Sequence, residues 1–167
     1  MVTVTGTALK RATFTVTDDP LAGDRSEGVE VRSGVAYSSG TGVGQVNAVA
    51  RIVHTIPAGS TLQIDLQDIP QSAFAYEGAV SFSLLRELVA VNLESASGRY
   101  VLWGTAGPAD ASGYSTRLDP GGSTQVSSPA DGYLITQGNR YLFAANPHAS
   151  PVTIEVLLAG VGTYSDT

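Results

Sequence analysis

The segment Thr61-Leu-Gln-Ile-Asp-Leu66 alternates polar and apolar side chains without a break. Successive side chains of a β-strand point to opposite faces, so this pattern predicts a strand that buries Leu62, Ile64 and Leu66. Pro57-Ala-Gly-Ser60, directly before it, is typical of a turn. The segment therefore predicts a half-buried strand that begins at a tight turn.

Similar β-prone segments, separated by Gly-, Pro-, Asn- and Asp-rich turns, recur along the chain. Gln137-Gly-Asn139, between residues 132–136 and 140–145, predicts a hairpin with a three-residue loop. No alternation of strands with helical segments indicates a parallel sheet. The predicted fold is an all-β, antiparallel β-sandwich of the jelly-roll type. Other predicted strands lie at residues 13–17, 29–32, 35–38, 45–56, 99–104, 125–128 and 152–159.

Residues 79–94 fit two patterns. Leu84, Leu85, Leu88 and Val91 follow the 3.6-residue period of a helix, whereas residues 88–93 also alternate as a strand would. We predict a strand, a short turn or single helical turn at residues 84–87, and a second strand.

The first 34 residues differ in sequence pattern from the rest, and they predict an N-terminal β-arm followed by an acidic loop. Val2, Val4, Phe14 and Val16 would be its candidate interaction residues, because a two-stranded unit is marginal alone and must pair with an edge of its own domain, another copy or a capsid. A free chain end is the alternative. Residues 35–163 would form the sandwich domain, and residues 164–167 a C-terminal tail.

The composition limits the classes of partner. With 167 residues the chain is long enough to bury a core, it has no cysteine, and 14% of its residues are charged, with a net charge of −6. Lys10 is the single lysine, and the arginines are scattered, so neither nucleic acid nor an anionic membrane surface is an expected partner. No segment resembles a signal peptide or is long enough to cross a bilayer.

Few residues fit the patterns of catalytic or metal sites. His54 and His148 lack ligand spacing, so we expect them to be structural or surface residues, and we expect no metal or other cofactor. Gly40 to Gly44 lacks the lysine of a phosphate-binding loop, and no helix follows it. The acidic residues could form a carboxylate pair or a calcium loop, but none has a recognisable context, and a solvated surface is the simpler reading. These residues are Asp65, Asp68, Glu87 and Glu94, and in the loop Asp18, Asp19, Asp24, Glu27 and Glu30.

Aromatic residues could instead form a sugar-binding face. Tyr100, Trp103, Tyr114 and Tyr133 are the candidates, and Trp103 and Tyr114 are the candidate interaction residues among them. Trp103 and Tyr100 are an odd number of positions apart, so their side chains would point to opposite faces of a strand. This favours a core position for the Trp103 indole.

Several stretches resemble small structural proteins of tailed bacteriophages. Thr61 to Ile69, the segment Gly78-Ala-Val-Ser-Phe82 and the strand that ends at Asn92 carry this resemblance in the first half. In the second half it is carried by Asp119-Pro-Gly-Gly122, Ser128-Pro-Ala-Asp-Gly-Tyr133, Tyr141-Leu-Phe-Ala-Ala-Asn146 and Val152-Thr-Ile-Glu-Val-Leu-Leu-Ala-Gly160. The resemblance spans about residues 35–163 and implies a virion-associated β-sandwich without catalytic residues.

The resemblance implies a head decoration protein, a minor capsid protein or a tail component. Among these we expect a non-enzymatic capsid decoration or cement protein, assembled in the host cytoplasm into the virion. Its partners would be the major capsid protein or other virion proteins, and we expect a homo-oligomer, with a trimer as the first choice. A tail or baseplate component that binds a host glycan is the alternative. The predicted core consists of Leu62, Ile64, Leu66, Val80, Phe82, Leu102 or Trp103, Leu134, Leu142, Ile154, Val156 and Leu158.

Overall fold

The computed structural model of the chain is built from β-strands, and the residues that it describes include no helix. It describes the backbone of residues 3–8, 12–17, 28–31, 35–71, 78–104 and 114–166, and side chains within 37–70, 78–104 and 116–165. The strands are β1 (Thr3–Ala8), β2 (Ala12–Thr17), β3 (Gly28–Val31), β4 (Val35–Ser39), β5 (Gln45–Val46), β6 (Ala48–Ile56), β7 (Thr61–Asp65), β8 (Ile69–Gln71), β9 (Gly78–Asn92), β10 (Val101–Gly104), β11 (Tyr114–Leu118), β12 (Ser123–Ser127), β13 (Tyr133–Leu134), β14 (Tyr141–Ala145) and β15 (Val152–Asp166).

These strands form three sheets, in the orders β3-β2-β1-β4-β5, β11-β10-β14-β7 and β12-β9-β15-β6. The short strands β8 and β13 also pair with β9. All of these pairings are antiparallel except that of β4 with β5. The prediction of an all-β protein with antiparallel sheets is therefore confirmed.

One hydrophobic core lies between the second and third sheets, and both supply it with side chains. Most predicted core residues are buried, including Trp103, while Leu62 and Leu102 are partly buried. The prediction for Leu134 is wrong, because its side chain is 65% exposed and the neighbouring Ile135 is buried instead. The predicted core residues that are buried are Ile64, Leu66, Val80, Phe82, Trp103, Leu142, Ile154, Val156 and Leu158.

The predicted hairpin around Gln137-Gly-Asn139 is wrong in its pairing. Residues 136–139 do form a turn, in which Asn139 N donates to Thr136 O over 3.2 Å. However, β13 before the turn pairs with β9, whereas β14 after it pairs with β7 and β10 in the other sheet. The turn therefore carries the chain from one sheet to the other, which local alternation does not reveal.

The predicted turn at residues 84–87 is also wrong, because β9 is a continuous strand of 15 residues. The irregularity in its sequence is taken up by two shifts of register against β15. Ala159 faces Glu87 but Gly160 faces Leu85, and a second shift follows between Val161 and Gly162. Arg86 and Ser83 are thus the extra residues of two β-bulges, which keep the strand in the sheet while its side-chain parity changes.

Substitution of Ile154 by Ala tests the packing of the core. The side chain is fully buried near the start of β15, so we expect the free energy of unfolding to fall by about 2–5 kcal/mol. Urea denaturation measures this loss, and Val53→Ala on the exposed face of β6 is the matched control. A loss well under about 1 kcal/mol would contradict the assigned strand parity.

The ends of the chain extend this framework. In β1 and β2, Val4 pairs with Val16 and Phe14 with Gly6, while Val2 lies outside the described residues. At the other end β15 continues to Asp166, so it includes residues that the sequence assigns to a tail. Tyr164 packs against the core, and its hydroxyl accepts a hydrogen bond from Val49 N over 3.1 Å. Residues 164–166 are therefore part of the last strand.

Candidate functional site

Arg86, the extra residue of one β-bulge, is 2% exposed and lies beneath two loops. Its guanidinium donates to the carbonyl oxygens of Gly42 over 2.9 Å, Gln45 over 2.8 Å and Pro129 over 2.9 Å, and also to that of Ala130. A buried cation is tolerated when hydrogen bonds replace its water. Arg86 therefore joins the glycine loop at 40–44 to the turn after β12, which gives that loop a structural role.

Glu87 is the next residue of β9, and it too is 2% exposed. Its carboxylate accepts hydrogen bonds from Tyr37 Oη over 3.1 Å, Gln125 Nε2 over 2.6 Å and Ser127 Oγ over 2.7 Å. Bonds to an ionised acceptor are stronger than neutral ones, so the three donors offset much of the cost of burial. Glu87 thus attaches β4 on one side and β12 on the other to the middle of β9.

The Tyr37 hydroxyl, which donates to Glu87, makes the stability of the fold depend on pH in the alkaline range. Burial, with a smaller contribution from the Glu87 charge, raises the pKa of Tyr37 to about 12. The neutral phenol is favoured in the folded state, so its contribution to stability is complete below about pH 10 and is lost as the pH rises towards about 12. We expect stability to fall more steeply in this window for the wild type than for Tyr37→Phe.

Urea denaturation at a series of alkaline pH values measures this difference. Burial also raises the pKa of Tyr164, so only the difference between the wild type and Tyr37→Phe reports on Tyr37. Tyr133→Phe, which removes a hydroxyl at a half-exposed position, is the control. Parallel curves for the wild type and Tyr37→Phe would contradict the role of Tyr37.

Strand β12 lies at the end of its sheet and is held mainly by polar contacts. It contributes no residue to the hydrophobic core, and Ser123, Gln125, Val126 and Ser127 are exposed. Its inner side pairs with residues 87–91 of β9, and Gln125 and Ser127 bond to Glu87. We refer to the outer side of Ser123–Ser127 as the β12 edge. It is an accessible strand held in place by a buried carboxylate.

A groove of about 390 Å³ collects three of the residues that the sequence marks as candidates for chemistry. His54, Asp65 and Asp68 lie on its wall, beside apolar residues such as Ile52 and Leu62. Both oxygens of Asp65 already have donors, because Oδ1 accepts from Gln67 N over 3.0 Å and Oδ2 pairs with Arg140. The described side chains contain no group of three His, Asp or Glu residues that could hold a metal ion.

Other candidates serve the scaffold. Glu94 accepts from Thr153 N over 2.9 Å and pairs with Arg99, away from the partners of Glu87. His148 contacts the Tyr100 ring edge-on, with 4.6 Å between ring centroids.

The possible aromatic face does not form around Trp103, because this side chain is 4% exposed and belongs to the core, as its place in the sequence favours. The Tyr100 ring is covered by the guanidinium of Arg117, 3.9 Å from its centroid. Tyr133 lies on β13, which pairs with β9, whereas Trp103 lies on β10 in the other core sheet. Tyr114 pairs with Gly104 at the start of β11, and its side chain lies outside those described, as does the acidic loop at 18–27.

Two buried asparagines, which the sequence analysis treats only as strand ends, connect the two sheets of the core. Asn92 at the end of β9 donates to the carbonyls of Leu118 over 3.0 Å and Arg99 over 2.7 Å. Asn146, directly after β14, donates to the carbonyls of Ile56 over 3.1 Å, Pro57 over 3.0 Å and Ser150 over 2.8 Å. In the sequence, the sign of this role is an Asn at or directly after the end of an apolar strand.

No model of a protein family matches the chain, and no curated protein is significantly similar to it. Among the described residues, no helix has the length and hydropathy needed to span a membrane.

Proposed function

We propose that this chain is a non-enzymatic structural protein of a tailed-bacteriophage virion that decorates or cements the head. Its partner would be the major capsid protein or another virion protein. The binding energy would come from buried surface area and complementary shape, and no reaction would be catalysed. The proposal includes the finer fold: a jelly-roll sandwich made by the second and third sheets, with the first strands as an N-terminal arm.

The observation that carries the proposal is the order of strand pairing. Among the eight main strands from β6 to β15, the first pairs with the last, β6 with β15, and the second with the seventh, β7 with β14. The third pairs with the sixth, β9 with β12, and the two central strands β10 and β11 pair with each other. A long antiparallel hairpin that rolls up on itself gives this order, and the jelly roll is a common architecture of viral capsid proteins, as well as of lectins and cupins.

The residues that carry the phage resemblance add support, because they hold this framework together. Asn92 and Asn146 each connect one sheet to the other. Gly160 faces a β-bulge of β9. A resemblance of this kind favours a shared scaffold, and a scaffold role is what a cement protein needs.

Exposed apolar side chains offer surface for a partner. Val43 is 80% exposed, beside the Gly42 carbonyl that Arg86 holds, and Leu134 and Tyr133 are also exposed. Arg86 also binds the Pro129 and Ala130 carbonyls, so these apolar residues belong to segments fixed by one buried side chain. Rigid apolar surface lowers the entropic cost of association. The glycan-binding alternative has less support, since Trp103 is buried.

Binding to phage heads tests the proposal. Purified protein, mixed with heads of the phage that encodes it but assembled without it, should co-sediment at a fixed stoichiometry, and a particle reconstruction should show its density on the head. Heads that already carry the protein are the control and should take up no more. Absence of binding would overturn the proposal, and density confined to the tail would replace it with the tail-component alternative.

A further inference from the structure

We propose that the β12 edge is a self-association site, at which two copies of this chain pair antiparallel about a twofold axis through Gln125. This inference is independent of the virion role. It gives a dimer through β12 in place of the trimer that the sequence analysis favours.

The hydrogen-bond ladder identifies which backbone groups of β12 point away from β9. At one end of the ladder Asn92 N donates to Gly122 O over 2.9 Å, and at the other end Ser128 N donates to Arg86 O over 2.9 Å. Inward and outward groups alternate along an antiparallel strand, so Thr124 and Val126 direct their N–H and C=O towards β9. The N–H and C=O groups of Ser123, Gln125 and Ser127 therefore point outwards.

These outward groups are symmetric about Gln125. With Gln125 opposite its own copy, Ser123 lies opposite Ser127 of the second copy, and each of the three pairs exchanges two hydrogen bonds. On the other strand face Val126, which is 39% exposed, would lie beside Thr124 of the second copy. Pairing in this register satisfies every outward group of the strand, as an isologous contact requires.

The charge pattern of the sheet edges selects β12 for this contact. The other end strands of the two core sheets carry charged residues, Arg51 in β6, Asp65 in β7 and Arg117 in β11, whereas Ser123-Thr-Gln-Val-Ser127 has none. Natural proteins block exposed edges with charges, prolines or bulges, and β12 has none of these. An uncharged strand can lie against its own copy without repulsion.

Hydrogen bonds to Glu87 already hold β12 in place before it pairs with a second copy. Gln125 and Ser127 direct their side chains to the Glu87 carboxylate, so the long Gln125 side chain is bound to its own sheet and leaves the edge open. A strand that is already fixed in extended form loses less entropy on association.

Substitutions at Gln125 test the pairing by light scattering over a range of protein concentrations. The wild type should form a concentration-dependent dimer. Gln125→Pro removes an outward N–H but no backbone hydrogen bond to β9, so it should remain a monomer while keeping its fold. Gln125→Ala loses the same side-chain bond to Glu87 but keeps the N–H, and it should still dimerise.

Disulfide formation provides a second test that does not depend on the proline variant. The chain has no cysteine, and residues of a hydrogen-bonded pair have Cα atoms about 5.5 Å apart, within the reach of a disulfide. Under oxidation, Gln125→Cys should give a covalent dimer much faster than Gln137→Cys, which lies in an exposed turn. A monomeric or trimeric wild type, dimerisation of Gln125→Pro, or equal rates for the two cysteine variants would each overturn the proposal.

Discussion

Gly160→Ala is expected to lower the free energy of unfolding by about 3 kcal/mol or more, which is a large share of the stability of an ordinary domain. A Cβ atom at this position would overlap the carbonyl oxygen of Leu84, which belongs to the backbone of β9. The bulge at Arg86 brings the two strands this close, and a backbone oxygen within a continuous sheet has no room to move aside. The effect should appear as a large drop in the urea midpoint.

Gly138→Ala is the matched control for this substitution. Gly138 lies in an exposed turn, and the nearest atom to an added Cβ is the Thr136 hydroxyl oxygen at 3.9 Å. This variant should retain wild-type stability within about 0.5 kcal/mol. Equal stability of Gly160→Ala and Gly138→Ala would show that β9 and β15 are not packed as closely as the bulge requires.

Local patterns were sufficient to predict the fold class. Residues 61–65 form β7, and Ile64 in the strand and Leu66 directly after it are buried, as the alternation predicts. Which strands pair depends on contacts between distant residues, however, and local alternation therefore predicts the wrong pairing for the strands on either side of Gln137-Gly-Asn139. The turn is real, but the buried position of Ile135 directs β13 to β9 and leaves β14 in the other sheet.

The candidate site could be predicted only in part, for a related reason. The sequence marks His54, Asp65 and Asp68 as candidates, but the Arg140 that pairs with Asp65 lies 75 residues further along the chain. Arg86 and Glu87 interrupt an otherwise apolar strand, and the sequence gives no sign that their partners would be loops and an edge strand about 40 residues away. The β12 edge became visible only once the order of strands in the sheet was known.

Asn146→Ala is expected to lower the free energy of unfolding by about 3 kcal/mol. The substitution removes three donated bonds, to the carbonyls of Ile56, Pro57 and Ser150, and the acceptor of the His148 N–H. Each buried group left without a partner costs about 1–3 kcal/mol, although water can reach those near the surface. Urea denaturation should show the loss as a lower midpoint with an unchanged slope.

Two further variants separate the lost hydrogen bonds from the lost volume. Asn139→Ala removes a comparable set of bonds from an exposed turn, where water replaces them, so it should cost about 1 kcal/mol or less. Asn146→Asp keeps the volume and the acceptor for His148 N but turns a donor into an acceptor that faces three carbonyl oxygens. It should therefore be at least as destabilising as Asn146→Ala near neutral pH. If Asn146→Asp were as stable as the wild type, the bonds from Asn146 Nδ2 would not be what holds the end of β6 to the end of β14.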